Sequence, residues 1–337
     1  MSKFNTFMKR FVLSSAVIMA CAAIALANVS DVRFASGRSA LNIPFKLFKN
    51  HIYLQVSVNG AKPLWFLLDT GAGNIINLKH ARSFGLRLTP AGQTTGNGEG
   101  LADLFTTDNI SYSLPGVTVG RQKFAVLSLE NVEECVQKLD IDAEGRLTAR
   151  ARAAGEKLDQ AMDGVLGAEF FRLFVVEIDY VTKTINLYDP ENYRYVGDGE
   201  RIPLEIDMRV HIFMRAQITA STHSSLSGRF LIDTGSAAAL MLTSPFVEQN
   251  KLLPPADQTT PFPVCGIGGD SQTQVGKISE IRLGNVKVEN PITMFSQARN
   301  GVLADPEISG NIGNAILRRF KVVFDYSRKV MILDQQR

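Results

Sequence analysis

The sequence predicts an all-β fold, mainly strands, built from two copies of one unit. Two internal repeats carry that expectation. In the first, WFLLDTGAGNIINL returns as RFLIDTGSAAALML, so that Asp69-Thr70-Gly71 matches Asp233-Thr234-Gly235. In the second, DGVLGAEFFRLFVVEIDYVTKTINLYD from Asp163 returns without a gap as SGNIGNAILRRFKVVFDYSRKVMILDQ from Ser309. Gly164, Gly167, Arg172, Phe174, Asp179 and Tyr180 recur as Gly310, Gly313, Arg318, Phe320, Asp325 and Tyr326. Self-similarity on this scale marks duplicated structure. The short apolar runs bounded by turn residues read as strands.

The chain opens with MSKFNTFMKR, which carries Lys3, Lys9 and Arg10 and no acid. An uncharged apolar run from Phe11 follows and closes on Ala25-Leu26-Ala27. A basic head, an apolar middle and an A-x-A end describe a cleaved export signal over residues 1–27. The run is shorter than the roughly 20 residues of a membrane span. Lipidation at Cys21 is the weaker alternative. In a two-membrane bacterium the product is periplasmic; otherwise it is secreted. Without this segment 33 basic residues balance 33 acidic ones. That balance gives no reason to expect nucleic acid or an anionic membrane as a partner.

The remaining chain divides into 28–192 and 193–337, each long enough for its own core. Alternation in Ile52-Tyr53-Leu54-Gln55-Val56-Ser57-Val58 predicts a half-buried strand, and Asn59-Gly60 a turn. Ile43-Pro44 and His51-Ile52-Tyr53 are echoed by Ile202-Pro203 and His211-Ile212-Phe213. Each unit then carries a glycine cluster between strand-like runs: Gly96, Asn97 and Gly98 in the first, Gly266, Ile267, Gly268 and Gly269 in the second. These read either as mobile hairpin tips that approach a ligand or as plain loops. The first unit is longer by about 18 residues, which fall in a helix-forming insert at about 131–162. A solvated face and a lid are its two readings. Cys135 and Cys265 either pair in an oxidising compartment or remain thiols. The repeated tail predicts strand, glycine turn, short helix and a hairpin turning near Asp179-Tyr180 and Asp325-Tyr326.

Asp69 and Asp233 each close an apolar run and open a tight turn. Burying a carboxylate there is costly unless it is hydrogen-bonded or shares a proton. Thr70 and Thr234 supply hydroxyls, and Gly71 and Gly235 let the backbone turn. A single Asp-Thr-Gly would more often be a plain strand-to-turn junction. Two copies in matched surroundings point to a catalytic pair on a pseudo-two-fold axis. Close carboxyls share one proton over an acidic range, so one serves as base and the other as acid. A water between them can then attack a peptide carbonyl without a metal, a cofactor or a covalent intermediate.

The doubled motif, with Val165-Leu166-Gly167 and Asn311-Ile312-Gly313 downstream, resembles the aspartic proteases of the pepsin and retropepsin group over roughly Leu41 to Leu333. The resemblance implies two β-barrel-like lobes with a cleft between them, catalytic Asp69 and Asp233, and glycine-tipped flaps at the two clusters. It also implies a peptide or unfolded protein as substrate and a monomer whose two lobes complete the site. Ala72 follows the first motif as in retroviral-type members, and Ser236 the second as in pepsin-like ones. Asn311 is polar where the first unit has Val165.

Other chemistries find little support. There is no G-x-S-x-G elbow. His51, His80, His211 and His223 show no partnering pattern, and no His or Cys pair has ligand spacing. A non-catalytic module holding a peptide or cell-wall component by strand addition is the main rival. A third reading has Asn28 to Leu41 covering the cleft, with Arg33 and Arg38 against the aspartates.

Overall fold

The computed structural model describes residues 31–138, 142–146, 162–207, 211–220 and 225–336. The expected export signal, Cys21 and most of the insert lie outside these residues. Strands dominate, and they form two sheets that belong largely to the two repeats.

The junction between the halves is made by the repeated tails. Strands Val175–Asp179 and Phe320–Asp325 run antiparallel, with Val176 opposite Phe324 and Ile178 opposite Val322. In the duplication Val176 corresponds to Val322 and Ile178 to Phe324. Exchanging the halves therefore exchanges these pairs, and a pseudo-two-fold axis passes between Glu177 and Val323. Each strand folds back on a hairpin partner, Thr184–Tyr188 or Val330–Gln335. The turns need a left-handed residue at the same place, supplied by Lys183 (φ 55) and Lys329 (φ 53). The Ile-Pro echo is also a register match, since Pro44 faces Thr184 and Pro203 faces Val330. Aromatic rings seal the seam: Phe171 meets Phe324 edge-on at 5.3 Å and stacks on Tyr326 at 5.6 Å.

In each half the strand that ends at an aspartate is buried beneath a parallel neighbour. Leu64–Leu68 pairs with Gly164–Leu166, and Leu226–Ile232 with Gly310–Ile312, in matching register. Parallel strands covered on both faces are near-continuous apolar runs, which is how Phe66-Leu67-Leu68 and Phe230-Leu231-Ile232 read. A third short strand, Ile75–Asn77 or Leu240–Leu242, lies antiparallel to the downstream strand. The aspartate loop is thus gripped at both ends by buried backbone pairing. A Cβ on Gly167 would come within 2.2 Å of the Ala72 carbonyl, and one on Gly313 within 2.4 Å of the Ala238 carbonyl. The spacing of the repeated Gly167 and Gly313 therefore reflects this close approach.

Two expectations are revised. Within the described residues, Asp31 to Leu41 does not line the cleft. Asp31–Phe34 is a strand antiparallel to Val117–Gly120; Arg33 binds Asp31 at 2.8 Å and Arg38 binds Asp189 at 2.7 Å. His80, read as having no partnering pattern, does have a partner. His80 bonds to Asp163 at 2.5 Å, and Asp163 accepts the Trp65 amide at 2.9 Å. In the second half Ser309 takes that last role, accepting from Arg229 at 3.0 Å.

Candidate active site

The two Asp-Thr-Gly loops meet across the axis through a reciprocal set of hydrogen bonds. The Thr70 amide donates to Thr234 Oγ1, and the Thr234 amide to Thr70 Oγ1, each at 3.0 Å. Thr70 Oγ1 then donates to the Ile232 carbonyl at 2.7 Å and Thr234 Oγ1 to the Leu68 carbonyl at 2.9 Å. Each hydroxyl therefore joins the opposite half. The glycine amides complete the loops: Gly71 donates to Asp69 Oδ1 and Gly235 to Asp233 Oδ1, both at 2.8 Å. The two carboxyls come together beside Gly71, where a Cβ would lie 3.0 Å from Asp233 Oδ1 and 3.3 Å from Asp69 Oδ1. Glycine is required here on spatial grounds, because a Cβ on Gly235 would lie 2.3 Å from Asp69 Cγ. Ser236 stands beside Asp233 and lines the cavity. The side chain that donates to Asp233 Oδ2 is instead Asn311, at 2.5 Å.

Above the carboxyls the glycine clusters form the tips of two hairpins, Thr89–Thr94 with Ala102–Leu114 and Thr260–Gly266 with Gly269–Lys277. The tips interlock. The amides of Gly96 and Gly98 donate to the Ile267 carbonyl at 3.0 and 3.1 Å, and Gly100 donates to the Gly268 carbonyl at 2.8 Å. Asn97 accepts from Ser271 Oγ at 2.8 Å. A Cβ on Gly98 would fall 2.4 Å from the Gly268–Gly269 backbone. The helix Glu130–Lys138, the described start of the insert, packs on the second hairpin. There Cys135 forms a disulfide with Cys265, next to the tip. The roof and floor enclose a cavity of about 670 Å³ that both aspartates line. Its walls are apolar on both sides: Leu67, Ile75 and Val136 from the first half, Met241, Val264 and Met294 from the second.

The aspartyl protease family model matches residues 54–170 and 219–315, more than half of the chain and both Asp-Thr-Gly loops. The chain belongs to the aspartyl protease family. No curated protein matches it. Membership makes the protein a protease by family, which implies a peptide substrate. Among the described residues no helix is long and apolar enough to cross a membrane.

The electrostatics of this aspartyl protease site are uneven. Burial raises the Asp69 carboxyl well above the usual aspartate range, and the neighbouring Asp233 charge raises it further. Burial raises Asp233 as well, but the Asn311 amide works against that shift. His51 and His211, which recur at matching places in the two units, both line the cavity. Burial pushes His51 down to about 4, so it stays neutral through the mildly acidic range. His211 is half-exposed, with Asp207 at 3.6 Å.

Asn50 and Asn314 form a support that the motifs did not reveal. Asn314 Nδ2 donates to the Thr234 carbonyl at 2.5 Å and to the Asn50 carbonyl at 2.7 Å, and its Oδ1 accepts from Tyr180 at 2.7 Å. Asn50 Nδ2 donates to the Ala237 carbonyl at 3.1 Å, and Asn50 Oδ1 accepts from Arg318 at 2.6 Å. Asn314 shows in the sequence only as a polar residue before Ala315-Ile316-Leu317, and Asn50, between Lys49 and His51, does not stand out.

Proposed function

We propose that the protein is an exported aspartic endopeptidase of the pepsin and retropepsin type. It would hydrolyse a peptide held between the dyad and the two flaps. The observation that carries this reading is the pair of closely approaching carboxyls at the floor of a roofed, apolar cavity. Such a pair holds one proton between two groups. The ionised carboxyl takes a proton from water as the water attacks the scissile carbonyl. The protonated carboxyl gives its proton to the carbonyl oxygen and, as the tetrahedral species collapses, a proton passes to the leaving nitrogen. The flap amides and the apolar walls would hold the substrate extended across the pair.

The disulfide supports export, because such bonds persist in oxidising compartments. The mature chain would begin after Ala27, with lobes at 28–192 and 193–337. One chain supplies both carboxyls, which favours a monomer.

Cleavage of a mixed peptide library by the mature chain, from about pH 3 to 7, tests the reading beside Asp69→Asn and Asp233→Asn. Acid-favoured cutting that both substitutions abolish is expected. A chain that binds peptides with unchanged affinity in both variants and cuts none of them is a binding module instead.

A further inference from the structure

The surroundings of the two carboxyls match almost atom for atom across the axis. Each Oδ1 accepts a glycine amide at 2.8 Å, and each aspartate amide donates to a carbonyl of the parallel strand at 3.0 Å. The match fails at one position of that strand. Val165 stands opposite Leu67 in the first half, and Asn311 opposite Leu231 in the second. Both are buried. Val165 has no polar atom to offer Asp69. Asn311 Nδ2 donates to Asp233 Oδ2 at 2.5 Å. A donor fixed on one carboxylate stabilises that group's charged form and, in a pair holding one proton, drives the proton to the other.

We propose that Asn311 is a positioning residue that holds Asp233 ionised, so that Asp233 is the base that activates water and Asp69 is the acid that carries the shared proton. This rests on the peptidase reading for its chemistry. The water proton goes to Asp233, and the Asp69 proton goes to the carbonyl oxygen of the substrate.

Three other observations bear on it. Asn311 Oδ1 is buried with no partner among the described residues. Leaving a buried acceptor unpaired is unfavourable, and a charge-assisted bond at the other end of the same amide offsets it. Turned over, the amide would set its oxygen against Asp233 Oδ2, which only a protonated Asp233 would tolerate. The two arrangements thus assign the proton oppositely. The histidines break symmetry in the same sense. His211 favours charge on Asp233, whereas its counterpart His51 is buried and neutral above about pH 4. Tyr326, which also interacts with Asp69, is held neutral by burial.

The test compares the full mature chain with Asn311→Val, which restores the first-half residue, and Asn311→Thr, which has Val's shape and a hydroxyl donor. The side-chain carboxyl carbons of labelled aspartate are followed by NMR as pH changes, without substrate. In Asn311→Val the lower-titrating carboxyl, assigned to Asp233 by its loss in Asp233→Asn, is expected to move up by about one to two pH units. In Asn311→Thr it should move less. The acid limb of kcat/KM should shift with it while KM changes little. Equal behaviour of the two variants, or a downward shift in Asn311→Val, overturns the proposal. Should Asn311→Val fail to fold, the mirror variant Val165→Asn decides. It should lower the titration of Asp69, and no change there also overturns the proposal. The NMR arm needs no cleavage. A chain that cuts nothing yet titrates as described refutes the peptidase reading and leaves the proton assignment standing.

Discussion

At the scale of single residues, the site depends on groups with no spare room and no alternative partner. Gly235→Ala would drive a methyl carbon against the Asp69 carboxyl, where a Cβ would lie 2.3 Å from Cγ. The neighbour is the reacting group itself, so the expected result is loss of peptide cleavage by at least about a hundredfold, measured as kcat/KM on a cleaved peptide. Thr234→Val removes a hydroxyl that accepts from the Thr70 amide and donates to the Leu68 carbonyl. Both partners are buried, so the variant should lose about 2–4 kcal/mol in denaturant unfolding, whereas Thr234→Ser should lose far less. The doubled Asp-Thr-Gly made these residues legible, since their spacing is local and repeated. Asn311 was legible only as a departure from Val165. That its amide reaches Asp233, 78 positions away, depends on the register of a parallel strand pair. Asn314 and Asn50 gave still less signal, because their partners, backbone carbonyls together with the Tyr180 and Arg318 side chains, are brought close by the docking of the two halves.

At the scale of elements, the hairpins, the repeated tails and the two glycine clusters follow from period-two patterning, turn residues and duplication. Their mutual contact does not. Gly96 and Ile267 meet because each half carries its flap toward the axis, a consequence of the whole assembly. The pairing of Cys135 with Cys265 was open for the same reason: 130 positions separate them, and one lies in the half-specific insert. Once formed, the bond closes a long loop and limits the unfolded chain, so Cys135→Ser should cost about 2–4 kcal/mol. It also anchors the roof, because Cys265 adjoins the tip residues Gly266–Gly269. Hydrogen exchange should therefore quicken at the amides of Gly96, Gly98 and Gly100 in the variant, while the amides of Val176 and Val322 at the seam stay protected. Equal protection of the tips in both proteins would show that the tip-to-tip hydrogen bonds hold the roof without the disulfide.

At the scale of the molecule, two buried groups beside the cavity oppose each other in their effect on stability with pH. Burial depresses His51 from its ordinary 6.5 to about 4. Between those values the unfolded chain takes up a proton that the folded chain refuses, so stability falls as pH falls. Burial and the neighbouring charge raise Asp69 instead. Above the ordinary aspartate value of about 3.9 the folded chain keeps a proton that the unfolded chain releases, so stability falls as pH rises. Each group alone tilts the stability curve by at most about 1.4 kcal/mol per pH unit, in opposite directions. Above the ordinary aspartate value the two tilts oppose each other, in the acidic range in which a shared-proton pair would work. Thermal unfolding across that range should expose the two tilts. In Asp69→Asn the His51 contribution remains, and Tm should climb with pH. In His51→Gln the Asp69 contribution remains, and Tm should decline with pH. The double variant should lose both of these contributions, so its Tm should change with pH less steeply than in either single variant. Parallel curves for all four proteins would place the acid sensitivity of the fold elsewhere than at the cavity.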